Sequence, residues 1–166
     1  MTSIAIDCRF AQFQAGLGRY TRELVPRLLS RTDGFSYTVI VRPEAEGWAV
    51  NLPGRPTVRF CSAAHYSLRE QLEVPRILRT SRADLLFTPH FNVPCFCPVP
   101  FVATIHDLIL HRYPNQASLP KRIAYRVLMR RTVMHARRLI SVSSFVATEL
   151  RAAYGDGILP RLSVIG

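Results

Sequence analysis

A chain of 166 residues is long enough for one domain with a sizeable core and too short for two large ones. Nearly half of its residues are apolar and no low-complexity tract interrupts them, which excludes a disordered chain. Its 22 Lys and Arg against 11 Asp and Glu leave a net charge of +11, pointing to nucleic acid, anionic lipid or a phosphorylated small molecule as partner.

The amino terminus, "MTSIAIDCRFAQF", lacks the basic start and long apolar centre of a secretory signal. Within it "SIAID" (3–7) reads as a buried strand that ends in an acid. "FQAGLGRYTRELVPRLLSR" then brings Gly16 and Gly18 to the front of a helix over 18–31. Leu24, Leu28 and Leu29 fall at helical spacing there, and Pro26 predicts a kink. "SYTVIV" (36–41) and "TVRFC" (57–61) are rich in β-branched residues and read as strands. Between them residues 42–56 are rich in turn formers and read as an exposed loop.

"YSLREQLEVPRILRT" (66–80) has a helical pattern, with Leu68, Leu72 and Ile77 apolar and Pro75 breaking or bending it. "ADLLFTP" (83–89) is a strand cut off by proline, and an irregular stretch occupies 90–100. "FVATI" (101–105) is uniformly apolar, like a parallel strand covered on both faces. The pattern then predicts a long helix over 119–137, a strand at 139–143, a helix over 144–155 that stops at Gly155, and a last strand at 162–165. Alternation of this kind means βαβ units, right-handed crossovers and a Rossmann-like α/β fold, with a mostly parallel sheet and helices on both faces. The chain stops one residue after its last strand, which reads as an excised piece.

No stretch reaches the roughly 18–20 apolar residues of a membrane span, and residence in the cytoplasm is the simplest expectation. Cys8, Cys61, Cys95 and Cys97 form neither a CxxC pair nor a zinc spacing, so they read as reduced, packed thiols and no metal site is expected.

In an open α/β sheet, ligands bind beyond the carboxyl ends of the strands. The residues just past each predicted strand are therefore informative. Gly16, Gly18 and Arg19 come after the first; His90 and Asn92 after "DLLF"; His106 and Asp107 after "FVATI"; Ser143 and Ser144 after "LISV". A dinucleotide fingerprint is disfavoured because its third glycine falls at Thr21, and a Walker A loop is excluded because it lacks its Lys-Ser or Lys-Thr. There remains a glycine loop at a helix start, where backbone N–H groups approach an anion or sugar, or a loop that needed glycine only for its shape. His106 and Asp107 are the strongest candidates, although Asp107 also suits a cap for the next turn. Ser143 or Ser144 reads first as a helix N-cap and only second as a ligand contact. His65, His111 and His135 read as structural or surface residues.

No acid occurs between Leu108 and Thr148, where Lys121, Arg122, Arg126, Arg130, Arg131, Arg137 and Arg138 crowd together. Arg122, Arg126, Arg130 and Arg137 share one sector of the helical wheel. Ala124, Tyr125, Leu128, Thr132 and His135 fall roughly opposite. A packed helix with a solvated basic face fits, and so does attraction to an anionic membrane surface, with Lys121 at its start. Nucleic acid is not expected, since no helix-turn-helix, aromatic RNP-like pair or zinc finger accompanies the charge.

"IAIDCRFAQFQAGLGRYTRELVPRLL", "YSLREQLEVPRIL", "ADLLFTPHFNVP", "PFVATIHDLI" and "LISVSSFVATELRAAYG…LSVIG", in that order, resemble retaining glycosyltransferase family 4 over essentially the whole chain. The likeness is to the amino-terminal, acceptor-side half of a GT-B enzyme, in a mannosyltransferase-like bacterial branch. It implies transfer of a sugar from a nucleotide-sugar donor to a saccharide or lipid-linked acceptor, in cell-surface polysaccharide or glycolipid synthesis. No further cofactor is implied, and the protein would be cytoplasmic or peripheral on the inner face of the membrane. By resemblance the Gly16–Gly18 loop lies beside the donor phosphates and acceptor, and His106 hydrogen-bonds the transferred sugar. Asp107, His90, Asn92, Ser143 and Ser144 carry over more weakly as cleft residues. The family's donor-site glutamates and its Arg/Lys pair for the diphosphate belong to a carboxy-terminal domain that lies beyond residues 1–166, so this piece alone is expected to be inactive or nearly so. The alternative from another class is a stand-alone basic α/β module that binds an anionic membrane or nucleic acid without catalysis. A further rival is a different GT-B enzyme, such as a sugar-phosphate epimerase.

Overall fold

The computed structural model describes residues 1–14, 16–31, 34–113, 115 and 118–165; Ala15 of the glycine loop and Gly166 lie outside them. Strand β1 (Ser3–Asp7) leads through a short 3-10 turn at Arg9–Gln12 into helix α1 (Leu17–Leu29). Next come β2 (Ser36–Val41), the one-turn helix α2 (Glu46–Ala49), β3 (Thr57–Phe60), α3 (Glu70–Thr80) and β4 (Leu85–Thr88). The second half contains β5 (Phe101–Ile105), the short α4 (Ile109–Arg112), α5 (Leu119–His135), β6 (Arg138–Ser141), α6 (Ser144–Tyr154) and β7 (Leu162–Val164).

All seven strands are parallel and join in the order β3-β2-β1-β4-β5-β6-β7. The direction of winding reverses between β1 and β4, so a crevice opens where their carboxyl ends part. Side chains alternate across the sheet. On one face Ala5, Ile40, Leu86, Ala103 and Leu139 pack in a core with Val74 and Leu78 of α3, Met129 and Val133 of α5, and Leu150 of α6. On the other, Ile6, Val39 and Val41 pack against Val25 and Leu29 of α1 and Ala49 of α2. Right-handed crossovers explain the split: connections running one way across the sheet place helices on one face, and connections running back place them on the other. The face under α1 therefore has no helix over β4–β6 among the described residues. There Leu24 and Leu28 of α1 border a groove of about 470 Å³ floored by Phe87, Val102 and Ile140.

Several sequence expectations shift. Residues 42–56 are not simply loop: a 3-10 turn at Pro43–Ala45 and α2 lie there, because Ala45, Ala49 and Leu52 are buried against the sheet. The helix expected over 66–80 starts at Glu70, so Leu68 and Leu72 point outward and are 87% and 76% exposed, while Val74, Ile77 and Leu78 take the core positions. Helices α1 and α3 each continue through their proline. In α5 the buried stripe is Tyr125, Leu128, Met129, Thr132 and Val133; Ala124 and His135 are exposed, and so are Ile123, Val127 and Met134. Lys121, Arg126, Arg130 and Arg137 are exposed as a basic face requires, but Arg122 is half-buried, its enclosed Nε without a hydrogen-bond partner among the described residues.

Candidate active site

The sites beyond β1, β4 and β5 meet at the crevice. Gly16, Leu17, His90, Phe91, His106 and Asp107 line one cavity of about 180 Å³. Three neighbouring strand ends supply them, since β1 lies beside β4 and β4 beside β5.

The two glycines of the first loop differ. Gly16 caps α1 at φ +57 with open space around it, and its carbonyl receives the N–H of Tyr20 at 3.0 Å as the helix begins. Gly18 is buried, and a Cβ there would sit 1.9 Å from the carbonyl oxygen of Phe13. Its role is close approach of helix and loop, not contact with the cavity. Arg22 fastens the same loop from the next turn of α1: its guanidinium donates to the carbonyls of Ala11 (2.6 Å), Phe13 and Gln14 (2.8 Å). Arg19 is exposed and lies outside the cavity lining.

The two histidines have fixed protons. Nε2 of His106 lies 2.8 Å from the carbonyl oxygen of Pro89, which only accepts, so Nε2 carries the hydrogen. Burial pushes the His106 pKa down, favouring a neutral ring whose Nδ1 can accept and has no hydrogen-bond partner among the described residues. In His90 the situation is reversed. Nδ1 receives the backbone N–H of Asn92 at 3.2 Å, so the neutral ring carries its hydrogen on Nε2 and is a donor. Burial, reinforced by the neighbouring His106, pushes its pKa down to about 3. The cavity wall therefore offers one histidine acceptor and one histidine donor, and a sugar hydroxyl needs both kinds of partner.

Asp107 is exposed, and its Oδ1 accepts the N–H of Ile109 at 2.9 Å, so it orders the turn into α4 while lining the cavity. Ser143 is the N-cap of α6, its Oγ accepting from the N–H of Val146 at 3.2 Å, and Ser144 is the exposed first residue of that helix. Neither serine lines the cavity. Asn92 is fully buried and turned away, its Nδ2 donating to Glu70 Oε1 at 2.7 Å.

That last contact opens a network that sequence reasoning missed. Arg9, fully buried, donates to Asp7 at 2.7–2.8 Å through two nitrogens and to Glu70 at 2.5 Å through a third. Burial works against the Asp7 charge, but Arg9 more than reverses this and holds the carboxyl below its ordinary range. Glu70 also accepts the backbone N–H of Tyr66 at 2.6 Å, fixing a non-glycine residue at φ +62. Strain of that sort gathers at sites where the surroundings enforce it. One buried cluster thus braces the His90 loop and the Tyr66 turn together.

The sequence matches the family model for Glycosyltransferase Family 4 over residues 15–165. The chain belongs to Glycosyltransferase Family 4. No match is found among curated proteins. Among solved structures, sucrose-phosphate synthase from Thermosynechococcus elongatus matches 99% of the chain with a TM-score of 0.68 at 13% identity, over 48% of its own length. The S. aureus MnaA–UDP co-structure matches 100% with a TM-score of 0.65 at 10% identity, over 44% of its length. At such identities the likeness is one of fold, and the chain spans about half the length of each. The Family 4 domain therefore has the Rossmann-like sheet of GT-B proteins, with the cavity at its switch point.

Next to that cavity lies a larger one of about 560 Å³, which shares His90, Phe91 and Asp107 with it and adds Tyr66, Lys121 and Tyr125. Lys121 is thus part of the site region rather than only of a surface patch. Among the described residues no group of His, Cys, Asp and Glu is arranged to hold a metal ion, and no helix is long and apolar enough to cross a membrane.

Proposed function

We propose that this chain is the amino-terminal, acceptor-side domain of a retaining glycosyltransferase that moves a sugar from a nucleotide-sugar donor to a saccharide or lipid-linked acceptor. The observation that carries the reading is the meeting of Gly16, His90 and His106 in one cavity at the switch point of a Family 4 domain. In the reaction the bond from the anomeric carbon to the donor phosphate oxygen breaks and a bond to the acceptor oxygen forms on the same face. The departing phosphate oxygen takes the acceptor proton. His106 Nδ1 would accept from, and His90 Nε2–H donate to, hydroxyls of the transferred sugar, while free N–H groups at the start of α1 face the phosphates.

The groups that would hold the leaving diphosphate belong to a second, donor-binding domain, the partner this reading requires. Residues 1–166 alone should therefore show less than about 1% of the transfer given by the natural full-length polypeptide, since electrostatic stabilisation of the leaving group is usually the largest single contribution to such catalysis.

The test is His106→Ala in the full-length polypeptide, assayed with a panel of radiolabelled nucleotide sugars. Transfer should fall about a hundredfold while circular dichroism stays unchanged. Full activity in that variant would remove the site. One observation favours a second reading, a non-catalytic basic module: the acid-free run from Leu108 to Thr148. Absence of transfer to any acceptor by the full-length protein, with retained binding to anionic vesicles, would favour it.

A further inference from the structure

The site cavity does not end at Lys121. The 560 Å³ cavity shares Tyr66, Pro120 and Ala124 with a third of about 530 Å³, which continues along the surface between α5 and the residues preceding α3. The lining changes character along this path. The mouth carries two histidines and Asp107; the middle adds Lys121, Tyr66 and Tyr125; the far end is apolar, with Leu68, Leu119, Ile123 and Val127.

Those four side chains are 87%, 64%, 55% and 54% exposed. Leu119, Ile123 and Val127 stand four residues apart, so they form one stripe on α5 that the core does not use. A single exposed leucine needs no explanation, but a contiguous apolar groove rimmed by polar groups marks a binding surface. Two charged residues, Lys121 and Asp107, line the middle cavity, and none lines the groove itself. No acid occurs between Leu108 and Thr148, and Lys121 makes no ion pair among the described residues. Where the middle cavity meets the groove stands Tyr66 at φ +62, held there by buried Glu70.

We infer that this path binds an anionic amphiphile: a phosphate-bearing headgroup beside Lys121, and a single alkyl or prenyl chain along Leu68, Leu119, Ile123 and Val127. If sugar transfer is the activity, and only in this respect does the inference rest on the reading above, the acceptor is lipid-linked. Its tail leaves through the groove and its reactive hydroxyl sits at the mouth. A soluble saccharide acceptor has no use for a 530 Å³ apolar extension of its site.

Hexyl, octyl and decyl phosphate, each kept below its micelle threshold, serve as probes in calorimetric titrations of this chain. Decyl phosphate should bind saturably at one site, and affinity should rise about twofold to fourfold with each added methylene, as burial of a CH₂ group in a partly open groove implies. Ile123→Asp and Val127→Asp should each weaken decyl phosphate at least tenfold. Both positions are exposed, so unchanged urea midpoints should show that the fold survives. Lys121→Ala should weaken all three probes by one common factor. The inference is overturned if affinity ignores chain length, if inorganic phosphate binds as tightly as decyl phosphate, or if Ile123→Asp binds like wild type. It is equally overturned if the chain binds anionic vesicles but no monomeric probe, which would make the groove a membrane-docking face. These readouts do not involve sugar transfer, so failure of the His106 test leaves them intact and failure here leaves that test intact.

Discussion

The backbone N–H of Asn92 points at Nδ1 of His90 from 3.2 Å, two residues along the same loop, and so determines which nitrogen of the ring can donate. Because Nδ1 is occupied as an acceptor, protonating His90 requires breaking that contact inside a buried aromatic setting, between Phe10 at 4.6 Å and Phe91 at 4.2 Å. The folded ring therefore stays neutral down to about pH 3, whereas an unfolded histidine titrates near 6.5.

This difference fixes the sign of the pH dependence. Between those two values the unfolded chain binds the extra proton, so stability from this group is complete above pH 6.5 and declines as pH falls towards 3. Urea unfolding at pH 5.0 against 7.5 should show a loss of about 2 kcal/mol from His90. His65, stacked on Phe10 at 4.0 Å and lowered to about 4 chiefly by burial, adds in the same direction. His90→Phe should flatten the slope over this window; an unchanged slope would mean that His90 charges freely in the folded state.

The Asp7–Arg9–Glu70 cluster makes an asymmetric prediction. Glu70→Ala leaves the Arg9 guanidinium buried with one partner fewer and should cost about 3–5 kcal/mol in urea unfolding, the range for breaking a buried pair. Glu70→Gln keeps one oxygen, which can still accept from Arg9 and Asn92, but sets an NH2 group against the Tyr66 N–H, and should cost less than Glu70→Ala. Equal losses in the two variants would show that the side-chain charge, not the hydrogen-bond geometry, holds the cluster.

The glycine pair separates by substitution. At Gly18 a methyl group meets the Phe13 carbonyl at 1.9 Å, so Gly18→Ala must displace the loop, and a cost of about 2 kcal/mol or more is expected. At Gly16 space is open but φ is +57, so Gly16→Ala bears only the strain of its backbone conformation, about 1 kcal/mol. Thermal unfolding of the two variants checks the order, and the reverse order would mean that the helix start is misplaced.

How much of this is legible in the sequence depends on whether the deciding contact is local. Parallel strands buried on both faces leave uninterrupted apolar runs such as "FVATI", and strand ends announce where polar loops converge, so the sheet and the meeting of Gly16, His90 and His106 can be read directly. Helix α2 is hidden because the residues that bury it, Ala45 and Ala49, sit among prolines and glycines. Leu68 and Leu72 look like core when the period is counted from Tyr66, although the helix begins at Glu70. Glu70 itself, between Arg69 and Glu73, has the pattern of a solvated charge; its partner Arg9 lies 61 positions away. One signal does betray the cluster: Asp7 ends a buried strand two residues before an arginine, and an acid there needs a cation.

Arg22 provides the last prediction, because it ties the glycine loop to the helix beyond it. Three backbone carbonyls, those of Ala11, Phe13 and Gln14, converge on one guanidinium, whose rigid planar fork reaches two of them from one terminal nitrogen and the third from the other. A lysine ammonium has the charge but not the fork, so Arg22→Lys should behave nearly like Arg22→Ala. Both should raise amide hydrogen exchange in residues 11–18 at least tenfold while leaving exchange in β1, β4 and β5 unchanged, since the strands are held by the sheet ladder and not by this contact. In the full-length polypeptide the same variants should raise KM more than they lower kcat if the loop positions substrate. Protection over 11–18 that survives Arg22→Ala would show that packing of Gly18 against Phe13 suffices to hold the loop.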